Sequence, residues 1–170
     1  SGPGATNLLT GTCCSFYDSI PTLMITGQVS TSRLKKNKPI RQLGFQETDI
    51  LSMFKSITKF CVQLENKNDI KYYLEKAFHI AFEGRPGPVL IDLPDDLQRS
   101  FVDPENLKSY KPNKPSKINP SVDKELVKLM NKLRLSKRPV IVLGGGLKTP
   151  DVSSSVKQLY EKLSVPVLVT

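Results

Sequence analysis

Histidine is nearly missing from this chain of 170 residues, which has His79 alone, and cysteine occurs only three times. Cys13 and Cys14 are neighbours that cannot easily bridge, no Cys-x-x-Cys spacing occurs, and a single histidine completes no zinc-type cluster. The thiols therefore read as reduced core residues of a cytoplasmic protein. Long apolar runs are also lacking. Val140-Ile141-Val142-Leu143 is typical of the longest, far too short to cross a bilayer. No basic-then-apolar leader opens the chain, so none of it reads as a secretory signal. Acidic residues are in the minority, 16 against 25 Lys and Arg, for a formal net charge of +9. The excess is spread over Arg33–Lys38, Lys108–Lys117 and Lys124–Lys137, with Tyr110 the one aromatic among them. That reads as a lysine-rich solvated surface rather than a nucleic-acid face, with an anionic ligand or partner as the other reading.

What is present describes an ordinary globular protein, 38% apolar and 24% charged. Ser1-Gly2-Pro3-Gly4 is a glycine-rich turn that feeds a helix from about Ala5 to Asp18, with Ala5, Leu8, Leu9, Thr12, Cys13 and Phe16 on one stripe. Pro21 to Gly27 is a short apolar strand, and Gln28 to Leu43 a polar, basic loop. Gly44-Phe45-Gln46-Glu47 follows, and Thr48 or Asp49 can cap a short helix through Ile50, Leu51 and Phe54. Phe60 to Leu64 alternates as a strand. Ile70, Leu74, Ala77, Phe78, Ala81 and Phe82 mark an amphipathic helix capped by Asn68 and stopped at Gly84, with His79 exposed off the stripe. Pro88 to Pro94 is the run of a strand buried on both faces.

From Asp95 to Asn119 the pattern breaks into prolines and charges, and then an α/β pattern restarts. Val122, Leu126, Leu129, Met130 and Leu133 share a helix stripe. Pro139 to Leu143 is a strand ending in Gly144-Gly145-Gly146. Asp151 can cap a helix that turns Val152, Val156, Leu159, Tyr160 and Leu163 inward, and Val165 to Thr170 starts another strand. Strands alternating with helices predict an α/β fold. It consists of two incomplete doubly wound units with parallel sheets flanked by helices, joined by a Pro/Lys-rich linker. The first unit lacks a beginning and the second an end, so a piece of a longer protein is expected.

The residues by themselves offer no nucleophile–base pair, no paired catalytic carboxylates and no metal cluster. Asp92, Asp95 and Asp96 could form a carboxylate patch after a strand, although a helix cap or turn is the commoner meaning. The turn before the first helix and the Gly44–Ile50 loop could meet at one end of a parallel sheet, where open α/β folds bind ligands. Glycines there let the backbone come close to a ligand. Gly144–Gly146 offers a second such strand end, without being G-x-G-x-x-G.

Five stretches in order go further: Ser1-Gly2-Pro3-Gly4-Ala5-Thr6-Asn7, Ile25-Thr26-Gly27-Gln28-Val29, Phe45-Gln46-Glu47-Thr48-Asp49, Ser56-Ile57-Thr58-Lys59 and Gly84-Arg85-Pro86-Gly87-Pro88-Val89-Leu90-Ile91-Asp92-Leu93-Pro94. The series resembles the thiamine-diphosphate enzymes of the acetolactate synthase group, over nearly the whole chain. By that resemblance, residues 1–97 are the second half of the pyrimidine-binding domain, 98–119 a linker, and 120–170 the start of the central, FAD/nucleotide-binding-like domain. It implies a 2-oxo acid decarboxylase or carboligase, homodimeric or homotetrameric when intact, with the cofactor held between domains and orienting and shielding supplied by protein. Gly2, Pro3 and Asn7 match positions at the pyrimidine ring, Gln46 a glutamine near the reacting centre, and Phe45 a phenylalanine on the substrate route. In members that hold FAD, Arg85, Gly144, Gly145 and Gly146 match flavin-contacting positions. The activating glutamate falls upstream of Ser1 and the Mg2+ motif in a further domain, so the piece alone is expected to be inactive.

Two positions depart from the family pattern. Asp95 stands where acetolactate synthases usually have lysine, and Arg41-Gln42-Leu43-Gly44 where they usually read Gly-Thr-Asp-Ala. Acetolactate synthesis and a related carboligation with another acceptor both stay open. The competing class is a catalytically inactive module derived from the family that binds a ligand or a partner chain.

Overall fold

The computed structural model describes residues 1–112, 121–147, 150–163 and 165–170. The chain divides into two compact units, Ser1–Asn113 and Lys114–Thr170. In the first, a 3-10 turn over Gly2–Leu8 runs into α1 (Leu9–Tyr17), then β1 (Leu23–Gln28), α2 (Ile50–Phe54), β2 (Phe60–Gln63), α3 (Ile70–Phe82), β3 (Val89–Pro94) and the single-turn α4 (Asp95–Gln98). The three strands form a parallel sheet in the order β1-β3-β2, pairing Leu23 with Val89 through Gln28 with Pro94, and Phe60 with Val89 through Gln63 with Asp92. The α/β class with parallel sheets is as predicted.

Helices cover both faces of the central strand, which explains its nearly unbroken apolar sequence. Leu90 points into a cluster with Ala5, Met24, Ile50 and Phe54, under the N-terminal turn and α2. Val89 and Ile91 point the other way, to Leu64, Ala77 and Ala81 under α3. Along the first face the composition changes from apolar to polar towards the carboxyl ends of the strands. Met24 is followed on β1 by buried Thr26 and Gln28, and Leu90 on β3 by buried Asp92. That end is where the site lies.

Several expectations need correction. Asp49, one of the two residues named as the cap of α2, does cap it, accepting from the Ser52 backbone N–H at 3.1 Å. Asn68 does not cap α3; the side chain of Asn66 accepts from the Asn68 N–H, ahead of a helix with no side-chain cap of its own. Gly84 does end that helix region, with φ +60°. Phe78 and Phe82 face outward, 62% and 54% exposed, and the core stripe is instead Ile70, Tyr73, Leu74, Ala77, Ile80 and Ala81. Steps of four residues each rotate a position by about 40°, so a row 70-74-78-82 winds off the buried face. His79 is half-buried rather than exposed and lies near the Tyr110 ring. Cys14 is exposed, so the thiols are not all core residues; the other two, Cys13 and Cys61, are half-buried. The stretch after α4 is tied to α3 and to the turn before it, because Lys67 of that turn and Lys71 of α3 donate to the carbonyls of Phe101 and Pro104, and Tyr110 N–H donates to Glu75.

The second unit contains α5 (Ser121–Leu135), β4 (Ile141–Leu143), α6 (Pro150–Leu163) and β5 (Val167–Val169), with β4 and β5 parallel and Ile141 paired with Val167. The stripe named on α5 is largely exposed within this unit, including Leu126 and Leu129. On α6, Val152 and Leu159 are exposed and Val156, Tyr160 and Leu163 half-buried. The cap named at Asp151 lies outside the described side chains, as does the part of the linker from 113 to 120.

Candidate functional site

At the carboxyl ends of β1 and β3 an open cleft of about 470 Å³ is lined by Ser1, Gly2, Gly27, Gln28, Arg33, Phe45, Gln46, Asp95 and Gln98, with Val29 and Ser30. The N-terminal turn and the Gly44–Ile50 loop, far apart in sequence, meet here. Gly2 is buried at φ +53°, and a Cβ on it would lie 2.3 Å from the Gln46 carbonyl oxygen. No side chain fits there, and the left-handed backbone independently favours glycine. Gly44 is likewise pressed against Arg33 and Val29, where a Cβ would lie 3.0 Å and 3.1 Å from their Cβ atoms.

The loop between Gly44 and Asp49 is held by side chains rather than by regular structure. Glu47 accepts from the backbone N–H groups of Lys35 and Leu43, both at 2.7 Å, and so closes the preceding basic loop onto itself. Gln28 Nε2 donates to the Thr48 carbonyl at 2.8 Å. Gln46 itself sits at φ +64°, unusual for a residue with a side chain. Held this way, Phe45 projects into solvent at the cleft, 81% exposed. An exposed phenylalanine on an anchored loop suits contact with a ligand or another chain better than packing.

Of the residues named from sequence, Gly2, Phe45 and Gln46 line one cleft, while Pro3 and Asn7 are exposed and not among its lining. Asn7 donates to the Gly4 carbonyl at 3.2 Å. Arg85 donates to the Ser19 hydroxyl at 2.7 Å and the Tyr17 carbonyl at 3.2 Å. Gly144 and Gly145, in the second unit, line a mainly apolar pocket with Val156, Lys157 and Tyr160; Gly146 follows in the same turn. The three aspartates do not form a patch. Asp92 is buried in β3, Asp95 lines the cleft and pairs with Arg99 at 2.9 Å, and Asp96 accepts from Thr31 N–H at 2.9 Å. The Thr31 hydroxyl, hydrogen-bonded to Asp96, is the main reason its carboxyl is held below the usual aspartate value, with desolvation opposing.

Sequence reading missed Thr26, Gln28 and Gln63 as partners of Asp92, and Ser1, Arg33 and Gln98 as cleft residues. A signal existed for the first group: polar residues two apart in β1, and a lone acid in the middle of β3. Their partners lie 64 and 66 residues away, beyond any local pattern.

The charges are mixed, with Arg33 the cation and Asp95 the anion among the lining residues, and neutral hydroxyl and amide groups make up most of the polar remainder. Such a set can grip a neutral, nitrogen-rich ring by paired donors and acceptors. Among the described residues no group of three or more His, Cys, Asp or Glu is placed to hold a metal, and no helix is long and apolar enough to cross a membrane.

A parallel α/β sheet with a polar cleft at the carboxyl ends of its strands defines the class: an open α/β fold, in which ligands characteristically bind at such a crevice. Comparison with known proteins then gives the family. The chain is 40% identical along its whole length to the "Probable acetolactate synthase large subunit" of Methanocaldococcus jannaschii, of which it covers 28%. It is 36% identical to the "Acetolactate synthase large subunit" of Lactococcus lactis, covering 28%, and 37% identical to "Acetolactate synthase 2, chloroplastic" of Nicotiana tabacum, covering 25%. No protein-family model matches. The chain belongs to the acetolactate synthase group, and it spans about a quarter of the length of these relatives.

Proposed function

We propose that this chain forms part of a thiamine-diphosphate-dependent 2-oxo acid decarboxylase and carboligase of the acetolactate synthase kind, homodimeric or homotetrameric and cytoplasmic. Residues 1–97 contribute one wall of the cofactor site, 98–119 connect, and 120–170 begin the central domain. The observation that carries this is the close contact of Gly2 with Gln46 at the strand-end cleft. It brings together the two stretches whose sequences match the family's cofactor-binding positions.

The residues fit the aminopyrimidine part of the cofactor and not its diphosphate. Amides and hydroxyls dominate the polar lining, and no described acidic cluster suits Mg2+. When bound, thiamine diphosphate supplies the electron sink for decarboxylation. The chain's own part is to bind and orient. Gly2 lets the N-terminal turn close on the Gln46 backbone. The Gln46 amide offers a donor and an acceptor, and Phe45 stands at the mouth of the cleft, on the substrate route that the resemblance assigns to it. Pro3 and Asn7 are assigned to the ring edge on resemblance alone. Mg2+ and the activating glutamate belong to segments outside this chain. The flavin assignment for Arg85 and Gly144–Gly146 is tested by whether flavin absorbance accompanies the purified full-length protein.

In that full-length protein, with thiamine diphosphate and Mg2+, carbon dioxide release from pyruvate and other 2-oxo acids is expected. Gln46→Ala should lower kcat/KM by about 10- to 100-fold, the scale of losing one or two oriented contacts. Cofactor binding without any 2-oxo acid turnover would overturn the enzyme reading in favour of the inactive module.

A further inference from the structure

Asp92 is a carboxylate in the middle of an apolar strand, 0% exposed, between Ile91 and Leu93. Nothing in the proposed chemistry uses it. No cation pairs with it among the described salt bridges. Its oxygens are taken instead by three neutral donors: Thr26 Oγ1 at 2.7 Å, Gln63 Nε2 at 2.8 Å and Gln28 Nε2 at 3.1 Å. A buried acid is costly to keep, and an apolar residue of similar size would serve the sheet as well or better. Its presence asks for a reason beyond packing.

The reason lies in Gln28. A glutamine amide has two N–H donors and one carbonyl, and all three are in use. One hydrogen goes to Asp92, the other to the Thr48 carbonyl at 2.8 Å, and Oε1 accepts from the Val29 N–H at 3.0 Å. An amide can be turned over, exchanging nitrogen and oxygen. Turned over here, its oxygen would oppose both the Asp92 carboxylate and the Thr48 carbonyl. An acceptor-only group beneath the amide therefore fixes which end faces the loop. Thr48 lies two residues after Gln46, and Gln28 itself lines the cleft. We propose that Asp92 is a positioning residue: by fixing the orientation of Gln28 it locks the Gly44–Asp49 loop and so sets where Phe45 and Gln46 stand in the cleft.

As a device of a cofactor wall this rests on the function proposed above, but the locking can be measured without cofactor. The experiment follows hydrogen exchange at the Glu47 and Ile50 amides of the full chain, which bond to the Gly44 and Thr48 carbonyls, beside global stability in urea. Asp92→Leu, close to the same size, removes both acceptor oxygens and with them the partner of one Gln28 amide hydrogen. It should speed exchange at these amides by about tenfold or more, the effect of one lost hydrogen bond. Thr26→Val removes a different partner of Asp92 and should lower global stability without selectively releasing the loop. The double variant Gln28→Glu with Asp92→Asn restores the carboxylate–amide pair in reverse, but sets a carboxylate against Thr48. It should keep stability while the loop stays released, and it keeps the test decisive if Asp92→Leu alone does not fold. Loop exchange that merely follows global stability in all variants, or that recovers in the double variant, would reduce Asp92 to a structural group and overturn the proposal. Neither outcome touches cofactor binding, and failure to bind cofactor would leave the loop coupling intact.

Discussion

At the scale of single residues, small differences in hydrogen bonding decide how the cleft is built. Asp96 anchors the segment that carries Arg33, because its carboxylate accepts both the backbone N–H and the hydroxyl of Thr31. These bonds favour the ionised form, so the folded pKa lies below the unfolded value. The contribution to stability is therefore complete above the unfolded aspartate value of ~3.9 and is lost as pH falls through the lower folded value. Asp96→Asn should show a shallower loss of stability than the parent chain when urea midpoints are compared from about pH 5 down to pH 3. Equal slopes in the two proteins would show that Asp96 is not the titrating group.

At the scale of elements, α3 is fastened to the sheet at its C-terminal end by Lys59, just before β2. The Lys59 ammonium donates to the carbonyls of Ile80 and Glu83, groups that a helix end leaves without partners. Burial holds the ammonium below the usual lysine value, partly opposed by the Glu83 charge. The two contacts must offset that desolvation cost. Lys59→Met keeps the aliphatic stem and removes the donors, so urea denaturation should show a loss of about 1–2 kcal/mol. No loss, or a gain, would mean that desolvation outweighs the bonds. The same helix shows how far periodicity alone reaches. Its existence and approximate extent were legible from apolar spacing, but the buried face was not. Tyr73 and Ile80 pack inward and Phe78 and Phe82 do not. Ring size gives no clue to that choice, which depends on where β2 and β3 pass beneath the helix.

At the scale of the whole molecule, the two units differ in how much they bury. Among the described residues, both buried apolar clusters lie in the first. Within the second, Leu126, Val127, Leu129 and Leu135 of α5 are half or more exposed. Stability follows buried apolar area, so the units should open separately, the second first. In hydrogen exchange at rising urea, amides of Ser121–Leu135 should lose protection well before those of Val89–Pro94. A single cooperative loss across both segments would contradict this.

The sequence by itself determined the alternation of strands and helices, the doubly buried strand around Ile91, the glycine turn at Gly2 and the family resemblance. Each is written in local spacing or in an ordered series of short motifs. Only the tertiary structure decided that Gly2 abuts the Gln46 carbonyl, that Phe45 stands exposed at the cleft, and that Pro3 and Asn7 do not line it. It also decided that Asp92 belongs to a buried network rather than a surface carboxylate patch. The physical reason is the parallel sheet. It sets β1 beside β3 although more than sixty residues separate the partners Thr26 and Asp92, and no local pattern records which polar side chains will face each other across it.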